Sequence, residues 1–157
     1  MEQAIIPMES LAQLIRLQLE NGGRSSLLVT GISMYPILRH RRDTVELVKP
    51  ERLRRGDLVL YQRDSGQYIL HRIITRPKDG AFICCGDNQW IAEQVRTGQV
   101  IALVDTYLRD GKRICAHSWG CRLYVWAWVG LFPVRRPLLW MRRRLGRIRH
   151  QLCKHIT

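Results

Sequence analysis

The alternation of apolar and polar positions divides the chain into one helix-like segment followed by a series of short strand-like runs. Leu11, Leu14, Ile15 and Leu19 fall at helical spacing, Ser10 stands where a capping hydroxyl belongs, and Asn21-Gly22-Gly23 supplies a stop. The spacing predicts a helix over 10–20. Runs rich in branched and aromatic residues then occupy 27–30, 44–48, 57–62, 68–75, 81–85, 100–108 and 112–116. Asp64-Ser65-Gly66 and Asp110-Gly111 lie between consecutive runs and read as hairpin turns. The expected architecture is therefore mainly β: a closed antiparallel β domain preceded by a short helix.

Length and charge sharpen this picture. At 157 residues, 46% of them hydrophobic, the chain suits one globular core with no room for a second large one. Its net charge of +13 is unevenly spread. Residues 1–110 carry 15 Lys/Arg and all 13 Asp/Glu, whereas residues 111–157 carry 11 Lys/Arg and no acid. The expected division is a domain over 1–118, with its β core at 25–118, and a basic, aromatic, helical tail over 119–157. Such a field directs attention to an anionic partner of the tail.

Five cysteines, Cys84, Cys85, Cys115, Cys121 and Cys153, are an odd number with no spacing that reads as a zinc knuckle, so a reducing compartment is expected. No cleavable signal sequence is expected either, because Glu2 and Glu9 flank only a short apolar stretch before Pro7.

Three elements carry candidate chemistry. In Gly31-Ile32-Ser33-Met34-Tyr35-Pro36, a serine just past a strand is held between a glycine and a proline in an irregular turn. In Tyr68-Ile69-Leu70-His71-Arg72-Ile73-Ile74, period-2 alternation puts Ile69, His71 and Ile73 on one face and Leu70, Arg72 and Ile74 on the other. In Cys85-Gly86-Asp87-Asn88 a strand breaks into a turn whose carboxylate would suit an imidazole partner. Each box alone also fits a structural role: a capping hydroxyl, a satisfied core histidine, a turn aspartate.

Taken together, in order and spacing, Gly-x-Ser-Met-x-Pro, then Gly56-Asp57-Leu58-Val59-Leu60-Tyr61, then a hairpin into His71-Arg72-Ile73, then Gly86-Asp87-Asn88, resemble the signal peptidase superfamily. The likeness covers roughly residues 25–110 and is to the Ser-His branch, which includes the archaeal, endoplasmic-reticulum and sporulation-type signal peptidases. The resemblance implies Ser33 as nucleophile and His71 as general base, where Ser-Lys relatives carry lysine. Asp87 is the expected orienting carboxylate. Relatives of this branch usually carry a further aspartate a few residues on, and Glu93 stands there, so either acid can face His71. The Ser33 N–H is expected in the oxyanion hole, with Thr30 as a candidate helper, since Gly31 offers no hydroxyl. This mechanism calls for no metal and no organic cofactor.

The ends of the chain depart from that family. The segment before the serine box is too short and polar for the usual membrane anchor, which needs ~20 apolar residues. Residues 123–134 instead gather Tyr124, Trp126, Trp128 and Phe132, with Trp119 just before and Arg135, Arg136, Arg142, Arg143 and Arg144 after. Two readings stay open: a basic element over 119–150 lying on an anionic membrane surface, or a helix packing its aromatics on the body. Nucleic acid is disfavoured, because no recognisable DNA or RNA module accompanies the arginines.

The functional expectation is a serine endopeptidase of the signal peptidase type, cytoplasmic or peripheral on the inner face of a membrane, cutting a leader, signal or precursor peptide. Its alternative is a catalytically silent peptide- or membrane-binding module on the same fold. A regulator of the SOS-repressor kind fits less well, since no helix-turn-helix precedes Ser33 and the base is histidine.

Overall fold

The computed structural model describes residues 7–75, 80–131, 134 and 137. Helix α1 spans Met8–Glu20, two residues earlier than the pattern suggests, because Pro7 rather than Ser10 opens it: the Pro7 carbonyl accepts the Leu11 N–H at 3.1 Å. Ala12, Ile15 and Leu19 face inward, whereas Leu14 is 56% exposed and does not belong to the packing face. Asn21 closes the helix, and Gly22 follows at φ 75°, a conformation that suits glycine.

The strands are β1 (Ser25–Leu28), β2 (Thr44–Val48), β3 (Leu58–Gln62), β4 (Tyr68–Thr75), β5 (Phe82–Cys85), β6 (Glu93–Val95), β7 (Val100–Arg109) and β8 (Lys112–Cys115). They form one antiparallel sheet in the order β1-β2-β7-β3-β4-β5-β6, with β8 added to the end of β7. Asp110 and Gly111, both at positive φ, make the two-residue β7–β8 turn.

The sheet does not close, which corrects the expectation of a closed domain: among the described residues β1, β6 and β8 each pair on one side and remain edges. The burial pattern shows why a closed interior is not needed. Both faces of β3 are buried, Leu58 and Leu60 in one cluster with α1, Val45, Leu47, Ala102 and Val104, and Val59 and Tyr61 in a second with Ile73, Phe82, Cys84 and Val95. A two-faced sheet covered by helix and turns satisfies its apolar surface without wrapping round.

Helix α2 spans Trp119–Gly130 and packs back on the body through Val129, with Val125 beside it, against Ile74 and Cys85. Among the described residues no helix is long and apolar enough to cross a membrane.

Candidate active site

Ser33 sits half-buried in the irregular segment between β1 and β2. That segment is held at its base by Asp43, whose side chain is fully buried. Asp43 takes hydrogen bonds from the Arg39 backbone and guanidinium and from Arg109, and Arg109 also donates to the carbonyls of Pro36 and Ile37 at 2.6 and 2.7 Å. Burial works to raise the Asp43 pKa, but Arg39 and Arg109 outweigh it and hold the group below the ordinary carboxylate range. The segment that carries the serine therefore rests on a charged clamp.

At its other side, the segment is tied to the turn after β5. The Asn88 N–H donates to the Ser33 carbonyl at 2.7 Å and the Asn88 amide to the Ile32 carbonyl at 3.2 Å. Gly86 lies in the corner so formed. A Cβ at that position would stand 2.7 Å from the Ser33 carbonyl oxygen and 3.1 Å from Nε2 of His71, so only glycine lets the serine segment and the imidazole come this close.

His71 is 3% exposed. It pairs across β3–β4 with Val59, which puts it on the same face as Tyr61. Its Nδ1 lies 3.2 Å from the Tyr61 hydroxyl and 3.4 Å from Oε1 of Glu93. Tyr61 donates to Glu93 Oε1 at 2.5 Å, and Arg63 holds both Glu93 oxygens at 2.6 and 2.7 Å. Burial pushes the His71 pKa down from 6.5 to about 4; the Glu93 charge resists this and the Arg63 charge adds to it. The imidazole is neutral at pH 7. Burial favours a raised Glu93 pKa, yet the hydrogen bonds from Arg63 and Tyr61 prevail and lower it, so Glu93 is ionised.

Asp87 does not meet the imidazole. Arg72, one residue after His71 and therefore on the opposite face of β4, grips it through Nε and Nη2 at 2.8 and 2.7 Å. Arg72 and Asp87 are 3% and 0% exposed. The Arg72 guanidinium also donates to the Gly56 carbonyl at 2.7 Å and lies 5.7 Å from the Tyr124 ring centre. Of the two candidate acids, Glu93 faces His71, and Asp87 anchors the turn that carries Gly86 and Asn88.

No hydrogen bond joins the Ser33 hydroxyl to His71 among the described residues. The Gly31 N–H is taken by Nδ1 of His40 at 2.8 Å. Thr30 borders the same cavity as Ser33, of about 410 Å³, whose walls include Met8, Leu28, Met34, Leu60 and Leu70. A larger cavity of about 880 Å³, between the turn at Arg54–Asp57 and α2, contains neither Ser33 nor His71. No group of three or more His, Cys, Asp or Glu side chains is placed to hold a metal among the described residues.

The aromatic residues of α2 divide. Trp128 turns inward, stacks on Tyr124 at 6.0 Å between ring centres and donates from Nε1 to the Asp87 carbonyl at 3.0 Å, so it is no part of an outward aromatic face. Trp119 and Trp126 are 80% and 78% exposed. Phe132, Arg135, Arg136, Arg142, Arg143 and Arg144 lie outside the described residues.

Sequence reasoning missed Tyr61, Arg63 and the Asp43 clamp as parts of the site. Tyr61 closes the Gly-Asp box and shares the His71 face by strand alternation, a signal present in the sequence. Arg63 and Asp43 carry no comparable signal. No protein-family model matches the chain, and no curated protein matches it significantly.

Proposed function

We propose that the chain is a serine endopeptidase of the signal peptidase type that hydrolyses a peptide bond in a leader, signal or precursor peptide. The observation that carries this reading is the Gly86 corner, where Nε2 of His71 and the Ser33 segment meet with no room for a side chain between them. Nε2 takes the Ser33 hydroxyl proton as Oγ attacks the scissile carbonyl, and the resulting imidazolium returns that proton to the departing amine. Water then releases the acyl group from Ser33 by the same base. The ionised Glu93 stabilises the imidazolium that the buried site otherwise disfavours. The Ser33 N–H serves the developing oxyanion. The substrate lies extended in the apolar cleft that borders Ser33, beside the free edge of β1.

A catalytically silent peptide-binding module is the second reading, favoured by the missing hydrogen bond between Ser33 and His71. Catalytic hydrogen bonds often tighten only when substrate binds, so that gap weighs less than the shared corner. Incubating the chain with a library of leader and precursor peptides and sequencing the products by mass spectrometry separates the two. Cleavage that Ser33→Ala abolishes supports the peptidase; binding without cleavage supports the module.

The outward face of α2 is assigned to an anionic membrane surface at the cytoplasmic side. Trp119, Leu123 and Trp126 follow one another at helical spacing and are all more than half exposed, with the exposed Arg122 alongside. Co-sedimentation with anionic but not neutral vesicles, weakened by Trp126→Ala, is the expected result.

A further inference from the structure

The hydrogen-bond directions around Glu93 decide where the His71 ring proton sits. Glu93 is ionised and can only accept. Tyr61 is fully buried and keeps its proton, because burial first, then its hydrogen bond to Glu93 and then the Glu93 charge raise its pKa. The single hydrogen of Tyr61 is committed to Glu93 Oε1, 2.5 Å away. Toward Nδ1 of His71, at 3.2 Å, the phenol oxygen therefore offers only lone pairs, and the second neighbour of Nδ1, Glu93 Oε1 at 3.4 Å, offers the same. Two acceptors facing one ring nitrogen require an N–H there. A neutral imidazole has one N–H, so Nε2, on the side of Gly86 and Ser33, is bare.

We propose that Tyr61 is a positioning residue: its hydroxyl relays the Glu93 charge to His71, holds the ring proton on Nδ1 and leaves Nε2 free to accept the Ser33 proton. This rests on the peptidase reading for its purpose, though the proton's place follows from the hydrogen bonds among Arg63, Glu93, Tyr61 and His71 and from the ionised Glu93. Arg63 is the outer member of the relay. Its fork fixes the carboxylate plane, so Glu93 cannot rotate away from Tyr61. The one-residue register shift between Leu60 and Tyr61 in the β3–β7 ladder falls at this tyrosine, where a strand irregularity can re-aim a side chain.

The relay makes an inverted prediction for Glu93→Gln. The Arg63 fork claims the amide oxygen, the amide N–H₂ then donates to Tyr61, and Tyr61 turns its own hydrogen onto Nδ1. The ring proton moves to Nε2, the wrong nitrogen for a base. Loss of the correct tautomer costs up to about 10⁴-fold in acylation. Tyr61→Phe removes the nearer acceptor and leaves only the longer 3.4 Å approach of Glu93 Oε1 to hold the proton on Nδ1, too long for a good hydrogen bond, so both tautomers become populated and acylation of Ser33 slows.

The test is nitrogen-15 NMR of the His71 side chain in the folded full chain at pH 7, for wild type, Tyr61→Phe and Glu93→Gln, with acylation of Ser33 by a serine-directed probe measured on the same samples. The expected result is Nδ1–H in wild type, a mixture in Tyr61→Phe and Nε2–H in Glu93→Gln. A wild-type ring protonated on Nε2 overturns the relay, as does a Tyr61→Phe ring indistinguishable from wild type; should Tyr61→Phe not fold, a Glu93→Gln ring that keeps its proton on Nδ1 does so. Labelled Ser33 with the wrong tautomer removes the relay and leaves the peptidase standing. The expected tautomers with an inert Ser33 remove the peptidase and leave the relay as architecture.

Discussion

The two faces of β4 treat their charges in opposite ways. On one, Arg72 and Asp87 are both charged, both out of water and matched to each other by two hydrogen bonds. On the other, one residue earlier, His71 is equally buried but neutral, and the charge it would need lies on Glu93, 3.4 Å from Nδ1 and hydrogen-bonded to the tyrosine hydroxyl that also faces the ring. The first face is a lock. Its charges meet each other, the Gly56 carbonyl completes the guanidinium's partners, and what it fixes is the turn holding Gly86 and Asn88. The second is poised, with one ring nitrogen anchored and the other free to exchange a proton. Neighbouring positions on one strand thus supply rigidity and, under the proposed function, reactivity, because alternation sends them to separate environments.

Breaking the lock has the largest expected effect. Asp87→Ala leaves the Arg72 guanidinium buried without its partner and is expected to cost about 3–5 kcal/mol of stability. Urea denaturation checks it, and acylation of Ser33 falls with it because the Gly86 turn loses its anchor. A cost under about 1 kcal/mol would mean that the turn is held by something else.

Gly86→Ala sharpens the contrast. The added methyl meets the Ser33 carbonyl and His71, so the two must part. A displacement of about 1 Å costs on the order of 10² in rate, while the Arg72–Asp87 pair and most of the stability persist. Acylation kinetics beside a denaturation curve show whether function is lost ahead of the fold.

The poised face also titrates. Because the His71 pKa in the fold, about 4, lies below its unfolded value of 6.5, the unfolded chain binds the extra proton between those values. The His71 contribution to stability is complete above pH 6.5 and is lost as pH falls toward about 4. Glu93, with its depressed pKa, acts in the same direction at the acid end. Glu93, Tyr61, Arg63 and Asp87 are the groups whose charge or hydrogen bonds bear on the ring. His71→Gln is expected to flatten the stability profile between pH 6.5 and 4, measured by thermal melts across that range. For the same reason acylation by wild type is expected to persist well below pH 6.5.

The smallest effect separates the two tryptophans. Trp128→Phe loses the hydrogen bond to the Asp87 carbonyl and is expected to cost about 1 kcal/mol. Trp126→Ala, on the exposed side, is expected to stay within about 0.5 kcal/mol of wild type. Paired denaturation curves decide between them.

Much of the strand content was legible because the apolar alternation is strong: 44–48 and 68–75 coincide with β2 and β4, and the face shared by Ile69, His71 and Ile73 is the observed one. β6 was not legible, since Glu93-Gln94-Val95 is three residues with little strand preference of its own and, among the described residues, pairs with β5 alone. The placing of β7 between β2 and β3 rests on distant pairings that no local pattern announces. The choice between Asp87 and Glu93 turned on Arg72. A buried arginine beside the histidine demands a carboxylate, and the alternation already puts that carboxylate on the wrong face for the imidazole. Tyr61 stood in the motif, but its contact with Glu93 spans 32 positions and waits on the β5–β6 hairpin.

Ser33 and His71 are proposed here as nucleophile and base. Intact-mass analysis after exposure to a serine-directed acylating probe at neutral pH tests this assignment most directly, on wild type, Ser33→Ala and His71→Ala, each checked for folding. One adduct is expected on wild type, none on Ser33→Ala, and on His71→Ala a rate lower by ~10²–10⁴. A folded wild type that takes no adduct across a panel of such probes, or a His71→Ala variant that labels as fast as wild type, would contradict it.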